Sequence, residues 1–270
     1  MKYILSMALM FTLASCSSSE KKKTTAAILP TSLTEAVQPH FRSDANRQRD
    51  SYRHPLETLS FFGVTPTMTV VEIWPSGGWY TEILAPYLAA QGKYIIADPE
   101  EDPKGYTKPR QEWLSQHQII SEKVSYATFQ PPKKLELAPA GTVDMVLTFR
   151  NIHNWLPTKS QEQAFRTIFK ALKPGGVLGV VEHRANPKVK FDPKSGYVPE
   201  KEVIRMAKKA GFMLEQKSEV NANPSDKANY PDGVWTLPPR LQLGDKDKDK
   251  YLAIGESDRM TLKFVKPPKK

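Results

Sequence analysis

The sequence predicts a single α/β domain in which strands and helices alternate and form a mainly parallel sheet covered by helices on both faces. Two observations support this prediction. Short apolar runs rich in Val and Ile recur between longer segments whose apolar residues repeat at helical spacing. Residues 68–98 contain the pattern in brief, as a strand, a glycine turn, a helix and a second strand that ends at Asp98. With 270 residues, of which 39% are hydrophobic, the chain can supply the core of one such domain.

The first 15 residues have the features of a cleaved signal peptide. Lys2 precedes an apolar segment that is too short to span a bilayer comfortably. The next residues, Leu13-Ala14-Ser15-Cys16, resemble the lipobox of bacterial lipoproteins, in which the cysteine becomes the lipidated first residue. Cys16 is the only cysteine, which suits a dedicated attachment point and leaves no internal disulfide. An ordinary signal peptide cut near Ser15, or a plain membrane anchor, is the alternative.

The residues on either side of the predicted domain are polar and basic. Residues 16–30 predict a flexible tether, residues 31–266 the folded domain and residues 267–270 a basic tail. The formal net charge of +10 suits an anionic membrane surface. The lysines are spread along the chain and no nucleic-acid motif is present, so nucleic acid is not an expected partner. We expect an exported protein that is anchored to a bacterial membrane through lipidated Cys16 and faces the periplasm; no pattern predicts an oligomeric state.

The domain begins with residues 33–50, which predict a helix with an apolar stripe on one side and charges on the other. This helix either packs its stripe on the edge of the sheet or forms a lid that carries cations to a substrate. Arg53 and His54, just after it, are the residues that best suit the second role.

Residues 68–98 follow. Val70, Val71 and Ile73 predict a buried strand, and Pro75 and the residues after it break the chain. Apolar residues at helical spacing then predict a helix at residues 79–90, which Gly92 ends, and residues 94–97 predict a second strand.

The rest of the chain repeats this alternation. We predict further strands at residues 123–129, 143–149, 177–181, 212–218 and 259–265, and helices at residues 111–120, 160–172 and 200–210. Ligands on parallel sheets bind at the carboxyl ends of the strands. Asp98, Phe129, residues 150–155 and residues 182–184 all fall at those ends and are expected to meet in one crevice.

The turn in residues 68–98 suits a nucleoside. Glycines let a ligand approach the main chain closely, and the following helix offers unpaired N–H groups. Asp98, about 20 residues after the glycines, is placed to accept hydrogen bonds from ribose hydroxyls. The third glycine of a dinucleotide motif is missing, and Glu72 lies inside the first strand.

These residues resemble motif I of the class I S-adenosylmethionine-dependent methyltransferases, commonly hydrophobic-(D/E)-x-G-x-G-x-G. Trp74 and Ser76 stand at its first two glycine positions, and Gly77 and Gly78 remain. Residues 171–178, A-L-K-P-G-G-V-L, resemble the turn before strand five of that family. The resemblance covers about residues 65–266 and implies a Rossmann-like doubly wound domain with seven strands, the last one antiparallel.

Shorter segments resemble a bacterial group of exported methyltransferase-like proteins. They are G-G-W-Y-T-E at residues 77–82, H-N-W at 153–155, E-H-R-A at 182–185, N-P-S-D at 223–226 and S-D-R at 257–259.

The class I resemblance implies S-adenosylmethionine as the cofactor and a set of residues that hold it. Glu72, Trp74, Ser76, Gly77 and Gly78 would flank its methionine part, Asp98 would hold the ribose, Phe129 would lie against the adenine, and Arg150, Asn151 and His153 would face the sulfonium and the acceptor.

Three residues are candidates for the chemistry itself. Methyl transfer is an in-line displacement, so the protein must align an acceptor and remove its proton where it has one. His153 and His183 are candidate bases because imidazole titrates near neutral pH, and Tyr80 could place a hydroxyl near the transferred group. His153, Glu182 and His183 would be metal ligands if they converged, but their spacing matches no metal signature and we predict no metal site.

The sequence therefore predicts S-adenosylmethionine-dependent methyl transfer to a small-molecule acceptor. The alternative is a non-catalytic lipoprotein that uses a degenerate methyltransferase fold as a binding or assembly module. Two points favour the alternative: Trp74 and Ser76 replace glycines, and S-adenosylmethionine is made in the cytosol, away from the expected location.

Overall fold

The computed structural model of the protein describes residues 29–268. The predicted signal peptide, the lipidation site Cys16 and the predicted tether up to residue 28 lie outside the described residues, as do residues 269–270 of the tail. Within the described part, none of the helices combines the length and the apolar character that crossing a membrane requires.

An eight-stranded sheet forms the centre of the domain. The strands are β1 (Thr69–Ile73), β2 (Lys93–Asp98), β3 (Val124–Gln130), β4 (Lys134–Leu135), β5 (Val143–Phe149), β6 (Leu172–His183), β7 (Met213–Ser218) and β8 (Arg259–Val265). Their order across the sheet is β4-β3-β2-β1-β5-β6-β8-β7. Strands β3, β2, β1, β5 and β6 are parallel, whereas β8 runs antiparallel between β6 and β7. The predicted antiparallel last strand is confirmed.

Helices surround this sheet. They are α1 (Leu33–Ala36), α2 (Asp44–Arg47), α3 (Asp50–Arg53), α4 (Pro55–Phe62), α5 (Thr81–Leu88), α6 (Lys108–Gln116), α7 (Gln118–Ser121), α8 (Ile152–Trp155), α9 (Gln161–Ala171), α10 (Glu200–Ala210) and α11 (Lys248–Ile254). One hydrophobic cluster packs α9 and α10 on the sheet, and another packs α4, α5 and α6 on the other face. The predicted α/β fold with helices on both faces is therefore confirmed.

The eighth strand is a small addition to the seven that the resemblance implies. The chain turns back after β3, and the two residues of β4 pair antiparallel with the end of that strand. The strand extends the sheet at its edge and leaves the order of the other seven unchanged.

Asp144 ties three strands together near their amino ends. One carboxylate oxygen accepts the backbone N–H of Thr69 at 2.8 Å, and the other accepts the Lys173 ammonium at 2.6 Å. Asp144 in β5 and Lys173 in the L-K-P-G-G turn therefore fix β1, β5 and β6 to one another, far from the carboxyl ends where ligands bind.

The prediction of one helix at residues 33–50 is wrong. The segment contains α1, a 3-10 turn at Pro39–Phe41 and α2, and α3 begins at its last residue. Pro39 has no N–H to donate and disfavours helical backbone at the residue before it, so α1 cannot continue. The segment instead folds over α5: Ser43 donates its N–H and its hydroxyl to the Glu82 carboxylate at 3.0 Å each, and Trp79 Nε1 donates to the Asn46 carbonyl at 2.8 Å.

Candidate functional site

A crevice opens at the carboxyl ends of β1, β2, β5 and β6, where the sequence predicts it. It consists of two neighbouring cavities of about 330 and 350 Å³. Both have Trp74, Ser76, Tyr106, Asn151 and Asn154 in their walls. We name the smaller cavity, which contains Asp98, Glu101 and Asp102, the acidic lobe, and the larger one, which contains Arg150, His153, His183 and Arg240, the basic lobe. Each is within the size range of small-molecule sites.

Two more cavities adjoin this crevice. One of about 490 Å³ lies between the segment before α4 and the glycine turn; Arg49, Arg53 and Arg150 line it, and we name it the arginine cavity. The other is an open groove of about 880 Å³ along β2 and β3, of which Asp98 forms one edge. Although the groove is the larger, the predicted catalytic residues lie around the crevice.

The turn after β1 has a glycine-like backbone at two positions where the sequence has no glycine. Trp74 has φ 47° and Ser76 has φ 51°, in the left-handed region that glycine occupies without strain. Side chains in that region destabilise the fold by about 1 kcal/mol or more each, and such strain concentrates at functional sites. Gly78, at φ 85°, is required, because a Cβ there would lie 2.7 Å from Arg110 Cγ.

The Trp74 indole forms a wall of the crevice and leaves both lobes open. Its Nε1 donates to the Phe129 carbonyl at 2.6 Å, and its ring packs edge-on to Trp155 with centroids 6.1 Å apart. The Phe129 ring itself is fully buried in the core against Trp155. The expected contact of this ring with an adenine is therefore not supported, because alternation along β3 turns the ring into the core, and the residue contacts the crevice wall only through the bond from its carbonyl to Trp74.

Asp98 ends β2 and lines the acidic lobe. Its carboxylate accepts hydrogen bonds from both terminal nitrogens of Arg110, a residue of α6 that is 1% exposed. Burial raises the pKa of Asp98 against the opposing effect of Arg110. An ionised carboxylate has about four lone-pair positions, so those not directed at Arg110 can accept ribose hydroxyls. Arg110 thus holds Asp98 in a fixed orientation, a role that the sequence did not reveal.

Glu72 lies at the floor of the basic lobe and is almost fully buried. Its carboxylate accepts the Tyr94 hydroxyl. Burial raises the pKa of Glu72 to about 7, although the hydrogen bond from Tyr94 and the charge of Arg110 oppose this rise.

His153 is oriented by a buried carboxylate. Its Nδ1 lies 3.0 Å from Glu182 Oε1, and the two Glu182 oxygens also accept the backbone N–H groups of Ile152, His153 and His183. An ionised carboxylate only accepts hydrogen bonds, so Nδ1 carries the proton and Nε2 is the basic nitrogen. Within residues 29–268, Nε2 has no hydrogen-bond partner, and the residue lines the basic lobe. The arrangement is that of a general base held by a carboxylate.

His183 is close to His153, with ring centroids 5.5 Å apart. Its Nδ1 lies 2.6 Å from Ser257 Oγ. Burial lowers the pKa of His183 well below its usual value, and the charges of His153 and Arg150 lower it further. His183 is therefore neutral near pH 7, and it adds a polar but uncharged group to the wall of the basic lobe.

The convergence that a metal site would need is present. Donor atoms of His153, Glu182 and His183 lie within 4.8 Å of one another. The two Glu182 oxygens, however, already accept four hydrogen bonds between them. A carboxylate that is satisfied in this way orients His153, and it would have to give up those bonds to bind a metal.

Tyr80 and Asn151 are more constrained than the sequence suggests. The Tyr80 ring stacks on Phe149, with centroids 3.7 Å apart, and its hydroxyl donates to the Arg53 carbonyl at 3.4 Å. Asn151 donates its side-chain amide to the Ile73 carbonyl at 2.7 Å, which joins the ends of β1 and β5. Both residues line the basic lobe, but these bonds make them parts of its wall.

Two loops close over the basic lobe. Arg240 Nη2 donates to the Tyr106 hydroxyl at 3.2 Å, which joins the segment after β2 to the one after the 3-10 turn Gly233–Thr236. Trp235, in that turn, packs edge-on to His153 with centroids 6.1 Å apart. Trp235, the one aromatic residue among residues 233–239, was the signal in the sequence for this part of the wall.

The short segments at residues 182–185, 223–226 and 257–259 hold His183 in place. Ser257 contacts His183, and the Asp258 carboxylate accepts Arg184 and the backbone N–H of Asn223. Asp226 accepts the backbone N–H of Asp258. These motifs are therefore parts of one hydrogen-bonded network beneath the basic lobe.

Comparisons with known proteins support the fold. No protein-family model matches the sequence, and a search of curated proteins finds no match. A SAM-dependent methyltransferase from Aquifex aeolicus superposes with a TM-score of 0.56 at 16% identity, covering 87% of this chain and 96% of that one. The [4+2]-cyclase SpnF gives 0.56 at 15% identity, covering 83% of this chain and 82% of that one.

Phosphoethanolamine N-methyltransferase 2 from Haemonchus contortus, solved with S-adenosyl-L-methionine, gives a TM-score of 0.51 at 14% identity, covering 81% of this chain and 53% of that one. At these identities the likeness establishes the fold alone. This chain has the Rossmann-like fold of the methyltransferases, and the cyclase among its neighbours shows that the fold does not fix the reaction.

Proposed function

We propose that the protein transfers a methyl group from S-adenosylmethionine to a small acceptor in the two-lobed crevice. The observation that carries the proposal is the pairing of His153 with Glu182, which leaves a basic nitrogen facing a cavity beside the glycine turn. The fold of the neighbouring structures supports the cofactor class.

The crevice fits the proposed cofactor in size and in its donor and acceptor groups. The acidic lobe offers the Asp98 carboxylate for ribose hydroxyls, and Ser76 and Gly77 have backbone N–H groups without hydrogen bonds in the described part of the chain. The cofactor would extend from Asp98 past Trp74 into the basic lobe, with the indole as a side wall. When bound, it supplies a methyl group on a sulfonium.

The residues of the basic lobe would then handle the acceptor. His153 Nε2 accepts the proton that the acceptor loses as it attacks, and Glu182 stabilises the imidazolium that results. Positioned bases of this kind contribute about 10²- to 10⁴-fold to a rate. His183, held neutral by burial, avoids placing a second positive charge beside the protonated His153. Trp235 and the Tyr106–Arg240 contact limit the access of water.

The location is also part of the proposal. The lipobox-like residues 13–16 support lipidation at Cys16, and the protein would then act at a membrane surface on the periplasmic side. Replacing Cys16 with Ser should abolish labelling by a radioactive fatty acid and release the protein from the membrane fraction. Unchanged labelling would contradict the anchor without affecting the proposed chemistry.

Calorimetry on the purified protein tests the cofactor. We expect S-adenosylmethionine and S-adenosylhomocysteine to bind, and Asp98→Ala to weaken both by tenfold or more, since a hydrogen bond to a charged group contributes about 1.5–3 kcal/mol. Asp245→Ala, in an exposed turn, is the matched control. A folded protein that binds neither ligand would instead support the non-catalytic binding or assembly module.

The base is tested separately from the cofactor. His153→Ala should lower turnover at least a hundredfold while leaving the affinity for S-adenosylhomocysteine unchanged. Glu182→Gln should give a smaller loss, because the imidazole keeps a hydrogen-bond acceptor but loses the charge that stabilises its protonated form. Equal losses of turnover and cofactor affinity in His153→Ala would contradict the assignment.

A further inference from the structure

Arg150 makes no hydrogen bond or ion pair through its side chain to any residue in the described range 29–268, although it lies where β5 ends. Its backbone is in the left-handed region at φ 62°, where a non-glycine residue is strained. The residue is partly buried, and this burial lowers the pKa of its guanidinium. A strained, unpaired cation at the mouth of a site is a feature that binding of an anion would explain.

Arg53 is a second arginine whose guanidinium is incompletely paired. It is 3% exposed, and its Nε has no hydrogen-bond partner in the described part of the protein. Among residues 29–268, its only ion pair joins Nε to Glu256 Oε2 at 3.7 Å, which is beyond hydrogen-bond distance. The guanidinium otherwise lies over the Trp79 ring, 4.7 Å from its centroid.

Glu256 cannot neutralise the cations around it. Arg49 Nε donates to Oε1 of Glu256 at 2.6 Å, and Arg259 Nη1 lies 3.3 Å from Oε2. The charges of Arg53 and Arg259 hold the pKa of Glu256 at about 2 despite its burial. The one Glu256 carboxylate is therefore paired with three guanidinium groups. Its charge also acts on Arg150, so four cations share one anion.

The arginine cavity brings these groups together. Arg49, Arg53 and Arg150 line it, and the glycine turn closes one side. Two carboxylates, of Glu82 and Glu112, are also in its wall. The Glu82 oxygens accept the N–H and hydroxyl of Ser43, and the exposed Glu112 carboxylate lies 4.0 Å from Lys108 Nζ, so neither forms an ion pair with the arginines in the described residues. Arg150 is shared with the basic lobe, so a ligand held here can extend toward His153.

We propose that the arginine cavity binds an oxyanion, a carboxylate or a phosphate, and that this group belongs to the methyl acceptor. Arg53 and Arg150 would supply the forked N–H donors that carboxylates and phosphates accept, and Arg49 would add charge. The acceptor is then an acidic small molecule, anchored by its anion while its nucleophilic atom lies at His153 Nε2. The assignment to the acceptor rests on the proposed function, whereas the anion site itself does not.

Inorganic phosphate is the probe for this site. It should bind the full-length protein in calorimetry at low ionic strength, with sodium chloride of equal ionic strength as the blank. Arg150→Met should weaken binding about tenfold or more and Arg53→Met by a similar factor, because each removes charged donors. Arg205→Met, on the exposed face of α10, is the matched control and should bind phosphate as the wild type does. Equal phosphate affinity in wild type, Arg53→Met and Arg150→Met, or no binding, would overturn the proposal.

A second measurement distinguishes a site for the methyl acceptor from a site for the carboxylate of the cofactor. Phosphate is titrated again in the presence of saturating S-adenosylhomocysteine. Unchanged phosphate affinity supports an acceptor site, and competition between the two ligands would overturn that assignment. If phosphate binds but neither cofactor form does, the proposed function fails and the anion site stands; if the cofactor binds and phosphate does not, the anion site fails alone.

Discussion

The acidic lobe and the arginine cavity, called here the acidic end and the basic end of the site, treat charge in opposite ways. At the acidic end, Asp98 is matched by one buried arginine, Arg110, in a two-bond ion pair. At the basic end, the single carboxylate of Glu256 is shared by three arginines, and Arg150 has no partner within the described chain. The first end is complete in the protein alone, while the second is complete only with a further anion. Pairing therefore distinguishes a carboxylate held in position from a set of cations that a ligand must neutralise.

The largest effect is expected from removing the Glu256 carboxylate, the one anion paired with the arginines of the basic end. Glu256→Gln leaves two buried guanidinium groups, those of Arg53 and Arg259, and the partly buried one of Arg49 without this counter-ion. Removing one partner of a buried ion pair destabilises by about 3–5 kcal/mol. The pKa of Glu256 is lowered to about 2 from an ordinary 4.5, so its contribution is present above pH 4.5 and is lost as the pH falls toward 2.

Urea unfolding between pH 3 and pH 7 measures this contribution. The difference in unfolding free energy between wild type and Glu256→Gln should be about 4 kcal/mol at pH 7 and should shrink in acid. A difference below 1 kcal/mol at pH 7 would mean that the arginines have other counter-ions.

The acidic end should respond to loss of its arginine. Arg110→Met leaves Asp98 partly buried and unpaired, and it changes the surface that packs on Gly78, so we expect a loss of about 3 kcal/mol in urea unfolding. Arg205→Met, which removes an exposed guanidinium, should change the stability by less than about 0.5 kcal/mol. Retention of wild-type stability in Arg110→Met would show that the ion pair contributes orientation and no stability.

Glu72 sharpens the comparison, since it is a buried carboxylate that no guanidinium contacts directly. Its pKa is raised from 4.5 to about 7, so the folded state binds the proton more tightly. Stability linked to this group is therefore present below pH 4.5 and is lost as the pH rises to about 7.

Glu72→Gln should remove that pH dependence. The shift corresponds to about 3 kcal/mol, part of which is offset by a weaker bond to Tyr94, so the variant should be about 2 kcal/mol more stable than wild type at pH 8. At pH 4.5 the variant should be about 1 kcal/mol less stable than wild type, because the stability difference must change by the full ~3 kcal/mol between the two pH values. A difference that is the same at pH 4.5 and pH 8 would refute the shift.

The smallest expected effect comes from Arg150. Arg150→Gly relieves the left-handed backbone strain and removes an unpaired charge, but it also raises the conformational entropy of the unfolded chain. We expect a net gain of about 1 kcal/mol in the free energy of unfolding. Ala228→Gly, at φ 53° and outside the crevice, controls for the backbone effect alone. A destabilised Arg150→Gly would indicate a structural partner for this side chain.

The alternation of apolar runs was sufficient to predict the fold. Strands β5 and β8 begin and end at the predicted residues, as does helix α10, because each is a short apolar or amphipathic run bounded by turn residues. The rule that ligands bind at the carboxyl ends of parallel strands predicts that Asp98, His153 and His183 lie around one crevice, and the structure has them there.

What the sequence did not reveal depends on contacts between distant residues. The partner of Asp98 comes from the next helix, the partner of His153 from β6, and Glu256 meets Arg49 across 207 residues. The segment before α4 was predicted as one helix because its apolar spacing outweighed the single proline that breaks it. Such pairings have no periodicity, so a pattern of apolar residues does not encode them.

The walls of these cavities carry most of the tryptophans of the protein. Trp74 and Trp235 line the basic lobe, Trp113 lines the arginine cavity, and Trp79 lines both, out of five in the chain. Trp155, which is fully buried in the core, lines none of these three cavities. Ligand entry therefore changes the surroundings of indole rings directly, so intrinsic fluorescence can follow it in real time without an added label. Single Trp→Phe replacements would assign the fluorescence signal to the basic lobe or to the arginine cavity.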